Sequence, residues 1–180
     1  RNAQGGLDKL YQQDDAERAR NFARMQQVLE QIEASVPGAS RATDSAGREC
    51  DIAVDHSEFT NLPQAQIDEC VAIMKAAGMN ATVSSIHING WFGDHNKLEG
   101  ARWIVRELFD INLDATLGQW IYIGDSTNDQ LMFQSVPLSV GVANIERFVP
   151  QLKHLPRYVT QAERGDGFVQ LAEQILDIQK

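Results

Sequence analysis

The sequence predicts an α/β protein in two parts: a parallel sheet with flanking helices in the second half, preceded by a smaller α+β unit. Two observations carry that prediction. After Gly93 the short apolar runs "WIYIG", "LSVGVAN" and "YVT" alternate with helix-patterned segments, as βα units do around a parallel sheet buried on both faces. Before Gly93 the strand-like segments alternate apolar with polar residues, which suits strands with one wet face. Composition agrees: 43% hydrophobic and 23% charged residues over 180 positions describe a globular chain with enough length to bury a core.

Each element has its own signal. Apolar residues at Phe22, Met25, Val28, Leu29 and Ile32 recur at helical spacing, and Pro37 with Gly38 ends that helix. "ECDIAVDH" sets Cys50, Ile52 and Val54 against acidic neighbours and reads as a half-buried strand. "LPQAQIDECVAIMKAAG" is a helix with Pro63 in its first turn and Gly78 as its stop. "ATVSSIHING" holds one bent strand or two short ones. The boundary falls near residues 86–93, giving a first domain of 1–88 and a second of 89–180. Beyond it come a helix in "NKLEGARWIVRELFDI", the strand "WIYIG", a helix in "TNDQLMFQSV", the strand "LSVGVAN", the short strand "YVT" and a closing helix in "GFVQLAEQILDIQ".

Charge excludes some functions. The net charge of −9, from 16 basic and 25 acidic residues, opposes nucleic-acid binding, which depends on neutralising phosphates and releasing counterions. No apolar run reaches the length that crosses a bilayer, so no membrane partner is expected. An acidic protein still binds a small phosphorylated ligand when a metal ion supplies local positive charge. Cys50 and Cys70 form neither a CxxC pair nor a disulfide framework, so free thiols in a reducing cytoplasm are expected. The chain opens without Met and without a secretion signal, as would a chain that begins partway through its gene product.

The chemistry concentrates in "IYIGDSTNDQLMF". Its apolar strand ends at Gly124, where the backbone can turn sharply. A polar cluster follows at the strand's carboxyl end, where open α/β sheets bind ligands. Asp125 is placed as a hard oxygen ligand for Mg2+, which binds through one or two carboxylates, waters and substrate phosphate. Asn128 and Asp129 fall in the next helical turn, where they can orient waters, position a partner or cap free N–H groups. The plainer reading is a polar turn with Asp125 or Ser126 as an N-cap. Lys97 shifts that balance. A lysine near a metal-bound phosphate neutralises charge on the phosphoryl oxygens. At a helix start the macrodipole disfavours it, which implies a nearby anion or carboxylate.

Lys97, followed 28 residues later by Asp125 in "GDSTND", resembles the third and fourth motifs of the haloacid-dehalogenase-like (HAD) hydrolase superfamily. The pattern is most similar to the phosphatases with a large α/β cap, including sucrose-phosphate and mannosyl-phosphoglycerate phosphatases. The resemblance spans residues 84–180, with "LSVGVAN" after the metal motif and "RGDGF" before the last helix. It implies a Rossmann-like core with an α+β cap in the first part. It also implies Mg2+ as cofactor, held by Asp125 and Asp129, and a small phosphorylated substrate. Lys97 and Asp129 would be catalytic, Lys97 by stabilising nucleophile and phosphate, and Asn128 would complete the phosphate surroundings.

One half of that pattern is missing. The family needs an upstream D-x-D motif, whose first Asp attacks phosphorus and whose second is acid and base, and a Ser or Thr motif that grips phosphate. The nearest lookalikes, Asp51 to Asp55 and Asp110 to Asp114, have the wrong spacing and order. In the family fold the nucleophile's strand lies beside the one in "WIYIG", which would otherwise be an apolar edge of the kind proteins avoid. The expectation is therefore a C-terminal portion of a longer protein. Its partner is the missing N-terminal core segment, and the present chain alone is inactive.

The cap would supply substrate selection. Arg41 and Arg48 flank a small-residue turn and suit a carboxylate or second phosphate; exposed turn arginines are the alternative. His95 and Asn96 are either substrate contacts or loop residues, and Trp91 with Phe92 line a sugar or staple the domains. His56, His87 and His154 lie at no metal-ligand spacing. The leading function is a Mg2+-dependent phosphomonoesterase acting on a sugar phosphate or similar small phosphate through an aspartyl-phosphate intermediate. The alternatives are a phosphomutase, disfavoured by the compact "GDSTND", and a non-catalytic binding or regulatory module on the same fold.

Overall fold

A computed structural model describes Gly5 and residues 8–178. The chain divides into two compact units: the residues up to Ala81 with Ile86–Gly93, and Thr82–Ser85 with the residues from Asp94 onward.

The first unit is built on α1 (Asp15–Ser35), which buries Met25, Val28, Leu29 and Ile32 along one stripe. It starts before the apolar spacing becomes clear at Phe22, because Asp14 caps it: its carboxylate accepts from the Glu17 amide at 2.7 Å. Strands β1 (Ser40–Arg41), β2 (Ile52–Asp55) and β4 (His87–Trp91), with α2 (Gln64–Ala76) and the first two residues of β3 (Asn80–Val83), complete it. The sheet order is β1-β2-β4-β3, with β2 antiparallel to both neighbours. Helix α1 packs on β1, β2 and β4, and α2 packs on α1 and β4, which closes a core of Leu29, Ile32, Ile52, Val54, Met74 and Ile88.

Three sequence expectations change here. Pro63 is the N-cap of α2 rather than a first-turn residue. Strand β2 is buried at all four positions instead of half-exposed, because its acidic residue, Asp55, finds four backbone N–H partners in the loop that follows. A domain boundary at 88/89 would cut β4, whose Ile88 and Asn89 pair with Val54 and Ala53; the chain leaves this unit for the last time after Gly93.

The second unit contains α3 (Lys97–Phe109), α4 (Leu113–Thr116), β5 (Ile121–Gly124), α5 (Gln130–Ser135), β6 (Leu138–Gly141), β7 (Tyr158–Val159) and α6 (Arg164–Ile178). Its sheet is parallel, in the order β5-β6-β7, with Ile121 opposite Leu138 and Gly124 opposite Gly141. β6, in the centre, is the most buried of the three. Among the described residues β5 pairs on one side only, and its Ile121 is 43% exposed. The helix expected in "TNDQLMFQSV" divides into a 3-10 turn at Thr127–Asp129 and then α5. Leu98, Met132 and Val136 form an apolar cluster flanked by Ala101, Leu117 and Tyr122, and this cluster supports the end of β5.

Candidate functional site

The cluster sits where β5 ends. Ser126 caps the Thr127–Asp129 turn and Asp129 reaches back to the cap's own amide, a reciprocal capping box. The plain N-cap reading of this stretch is therefore part of what builds the site. The box folds the Asp129 carboxyl over the strand end: a Cβ at position 124 would lie 2.6 Å from both Cγ and Oδ2 of Asp129. Gly124 is required for that close approach and not for a turn, since its φ is not positive.

Asp129 is 1% exposed. Its Oδ2 accepts the backbone N–H groups of Asp125 at 2.8 Å and Ser126 at 3.0 Å. Its Oδ1 accepts from the Lys97 ammonium and from the Tyr122 hydroxyl. Lys97 Nζ also donates to Asn128 Oδ1 at 3.1 Å, and Ser126 Oγ donates to the same oxygen at 3.0 Å. Lys97 is the first residue of α3, whose free amides are capped by Asn96 Oδ1 at 3.0 Å from both Leu98 and Glu99. The anion that the helix dipole demanded beside Lys97 is Asp129.

Burial works on Asp129 most strongly and pushes its carboxyl pKa up. The Lys97 charge and the hydrogen bonds from Lys97, Tyr122 and the Asp125 amide outweigh it and hold the group below the usual aspartate range. Burial first, and then the Asp129 charge, push the Tyr122 phenol far above its ordinary value, so it remains a donor.

Asp125 faces elsewhere. With Ile123, Gly124, Val142, Arg164 and Phe168 it lines a cleft of about 250 Å³. Asn144 links two sides of this cleft: its Nδ2 donates to Asp125 Oδ2 at 3.4 Å and its Oδ1 accepts the Arg164 amide at 2.9 Å. Arg164 adopts a left-handed backbone, φ 51°, a strained state for a side-chain-bearing residue. Among the described residues no group of three or more His, Cys, Asp or Glu side chains forms a metal cluster. Asp125 nevertheless fits Mg2+, whose protein ligands are commonly one or two carboxylates completed by water. Asp129 has its acceptor positions taken by four protein donors. Lys97 and Tyr122 also line an apolar groove of about 340 Å³ beside Ile121, with Ile104, Val105 and Met132.

Arg41 and Arg48, the expected substrate contacts of the first unit, both hold carboxylates of that unit. Arg41 grips Glu33 through Nε at 3.0 Å and Nη2 at 2.7 Å. Arg48 grips Asp44 at 2.8 and 2.9 Å and also pairs with Asp51. Of the lookalike aspartates, Asp55 is bound by backbone amides, Asp114 by Arg102, and Asp110 ends α3 in a left-handed conformation. His56 Nδ1 meets Ser57 Oγ at 2.7 Å and His87 Nε2 meets Glu58 Oε2 at 2.9 Å. Phe92 packs under the Arg24 guanidinium, 3.9 Å away within its own unit. Both cysteines are free.

Sequence reasoning missed Tyr122 and Asn144. Tyr122 is hidden inside a run read as purely apolar; its signal was a phenol in a short aliphatic strand, where a buried hydroxyl needs an acceptor. Asn144 had only its place at the carboxyl end of the next parallel strand.

The elements and their order, with the Gly-Asp turn after β5 and a lysine heading α3, give the fold of the HAD-like hydrolases with an α/β cap. Solved structures agree. The Synechocystis sp. PCC6803 sucrose-phosphatase in complex with sucrose and phosphate superposes at TM-score 0.60, with 15% identity over 89% of this chain and 66% of that one. A trehalose-6-phosphate phosphatase related protein matches at TM-score 0.53 and 12% identity, over 92% and 66% of the two chains. In sequence, phosphoglycolate phosphatase 2 of Saccharolobus solfataricus is 37% identical over 59 residues, 33% of this chain and 24% of that protein. No protein-family model matches the chain. The chain thus spans about a quarter of that curated relative and two thirds or less of the structures. No helix among the described residues is long and apolar enough to cross a membrane.

Proposed function

We propose that the complete protein hydrolyses phosphomonoesters, with a sugar phosphate or similarly small polar phosphate as substrate. The observation that carries this reading is the joint grip of Asp129 and Asn128 on Lys97 at the carboxyl end of β5, beside an Asp125 that faces a cleft. The half-exposed Lys97 ammonium would neutralise the substrate's phosphoryl oxygens, while Asp129 and Asn128 hold it in place. Asp125 would hold Mg2+, which when bound supplies further positive charge against the phosphate. The phosphatase names of the relatives support the reaction class.

The nucleophilic aspartate, and with it the aspartyl-phosphate intermediate, is assigned to a segment outside this chain that pairs with the free side of β5. The one-sided pairing of β5 and the apolar groove beside Ile121 support that assignment. Substrate selection is assigned to the first unit. There Arg41 and Arg48 would take a carboxylate or second phosphate by exchanging a present carboxylate partner.

The test is Asp125→Ala in the full-length gene product, read as Mg2+-dependent release of phosphate from an aryl phosphate. Loss of turnover is expected. Turnover equal to that of the parent overturns the reading, and no turnover from either leaves a binding module on this fold as the better description.

A further inference from the structure

Tyr122 is not part of the metal or lysine motifs, yet its hydroxyl ends on the same carboxylate oxygen that Lys97 holds. Resting on the phosphatase reading above, we propose that Tyr122 is a positioning residue for Lys97, setting how tightly Asp129 holds the ammonium and where it points.

The geometry argues for this in three ways. First, Asp129 Oδ2 is saturated by two amides fixed in the capping box, so Lys97 and Tyr122 divide Oδ1 between them. A carboxylate oxygen accepts about two donors, so the phenol takes one direction and leaves the other to Lys97. Second, the phenol is a rigid donor. Its ring meets Phe133 edge-on at 5.9 Å and packs on the cluster of Leu98, Met132 and Val136. Lys97, by contrast, is a flexible chain with 46% of its side chain exposed. Third, the Tyr122 hydroxyl donating to the shared Oδ1 draws off part of the Asp129 charge, so the ammonium is held without being fully neutralised, and with Asp129 and Asn128 taking two of its three N–H groups it keeps one for an anion. Without the hydroxyl, Oδ1 belongs to Lys97 alone, and the ammonium is drawn down toward the buried carboxylate.

Tyr122→Phe in the full-length protein keeps the ring and removes the donor. Inorganic phosphate binding, measured by calorimetry, is expected to weaken about ten-fold, and turnover of an aryl phosphate to fall by a similar factor. The decisive comparison is a double-mutant cycle with Lys97→Met. If Tyr122 acts through Lys97, adding Tyr122→Phe to Lys97→Met leaves phosphate affinity unchanged. An equal loss in both backgrounds assigns Tyr122 a structural role and overturns the proposal, as does unaltered phosphate affinity in Tyr122→Phe alone. Asp125→Ala separates the two readings. Turnover that survives Asp125→Ala overturns the phosphatase and this proposal together. Turnover lost in Asp125→Ala but untouched by Tyr122→Phe overturns only the role of Tyr122.

Discussion

Lys97 and Asp129 form an ion pair across 32 positions of chain, in which the carboxylate side chain is 1% exposed and the ammonium side chain 46%. The asymmetry matters for function. The buried partner is fixed by two amides of its own turn, whereas the exposed partner keeps a face toward solvent. A positive charge at the head of α3 is unfavourable against the helix dipole, so this lysine is held where propensity would not put it.

Lys97→Met tests that relationship. Removing the ammonium leaves a buried carboxylate short of one donor, which is expected to cost about 1–3 kcal/mol in urea unfolding. In the full-length protein, turnover is expected to fall by about a hundred-fold or more. Lys97→Arg, which retains charge but not the compact ammonium, should restore stability better than turnover. Equal recovery of both would count against an aimed ammonium.

Gly124→Ala carries a steric prediction. The new methyl group would sit 2.6 Å from Asp129 Cγ and Oδ2 and 2.8 Å from its Cβ, against a side chain fixed by the capping box. Displacing the carboxyl is expected to lower stability by about 1–3 kcal/mol and to weaken phosphate binding, because Lys97 loses its anchor. Normal melting and normal phosphate affinity would show that the turn accommodates a side chain and that room for Asp129 is not why glycine stands there.

Much of this site was legible in the sequence, and the failures have physical causes. A glycine, two aspartates and an asparagine after an apolar run marked the end of a parallel strand, and the misplaced charge of Lys97 called for an anion. What spacing could not supply was the division of labour between the aspartates. Asp125 lines a cleft, while Asp129 is buried under four donors, and both look alike as letters. Tyr122 was absorbed into its apolar surroundings because pattern reading weighs a tyrosine by its ring and not by its hydroxyl. β1, a strand of two residues, is too short for any period to register, and it exists only because β2 offers it an edge.

Asp55 carries the pH prediction. The residue is 2% exposed, and burial, the largest influence, pushes its pKa up. Hydrogen bonds from the amides of Glu58, Phe59, Thr60 and Ser57 outweigh that and hold it below the usual range. A depressed carboxylate contributes stability that is fully present above its unfolded value of about 3.9 and is lost as pH falls through the lower folded value. Asp55→Asn is therefore expected to cost about 1–3 kcal/mol at pH 7, with the gap to the parent narrowing below about pH 4. Chemical unfolding at a series of pH values measures both, and a gap that stays constant into acid would contradict the arrangement.

Arg48 distinguishes structure from recognition in the first unit. Its guanidinium spans Asp44 and Asp51, with a longer contact of 3.5 Å to Asn89 on β4, and its side chain is 18% exposed. Arg48→Ala is expected to loosen the 44–51 turn and cost about 1 kcal/mol in unfolding experiments. The substrate contact proposed above would show in addition as a raised KM in the full-length protein, whereas a purely structural arginine leaves KM unchanged. A melting curve with a kinetic titration of the same variant therefore assigns the role.

The side of β5 that has no strand partner among the described residues makes a prediction about the isolated chain. Ile121 on that edge is 43% exposed, and Ile104, Leu108 and Phe109 on the neighbouring α3 are 48, 61 and 59% exposed. On α6, Phe168, Val169 and Leu176 are likewise half or more exposed. Unpaired strand edges and contiguous apolar surface both promote association. The 180-residue chain is thus expected to bind a hydrophobic dye and to sediment in part as oligomers. Ile121→Lys places a charge on the edge and should reduce the oligomers without unfolding the chain. In a longer gene product that carries the proposed segment beside β5, dye fluorescence should fall several-fold at equal concentration. A chain that binds no dye and sediments as a monomer would mean that this surface is tolerated as it stands, and the main support for a strand beside β5 would be gone.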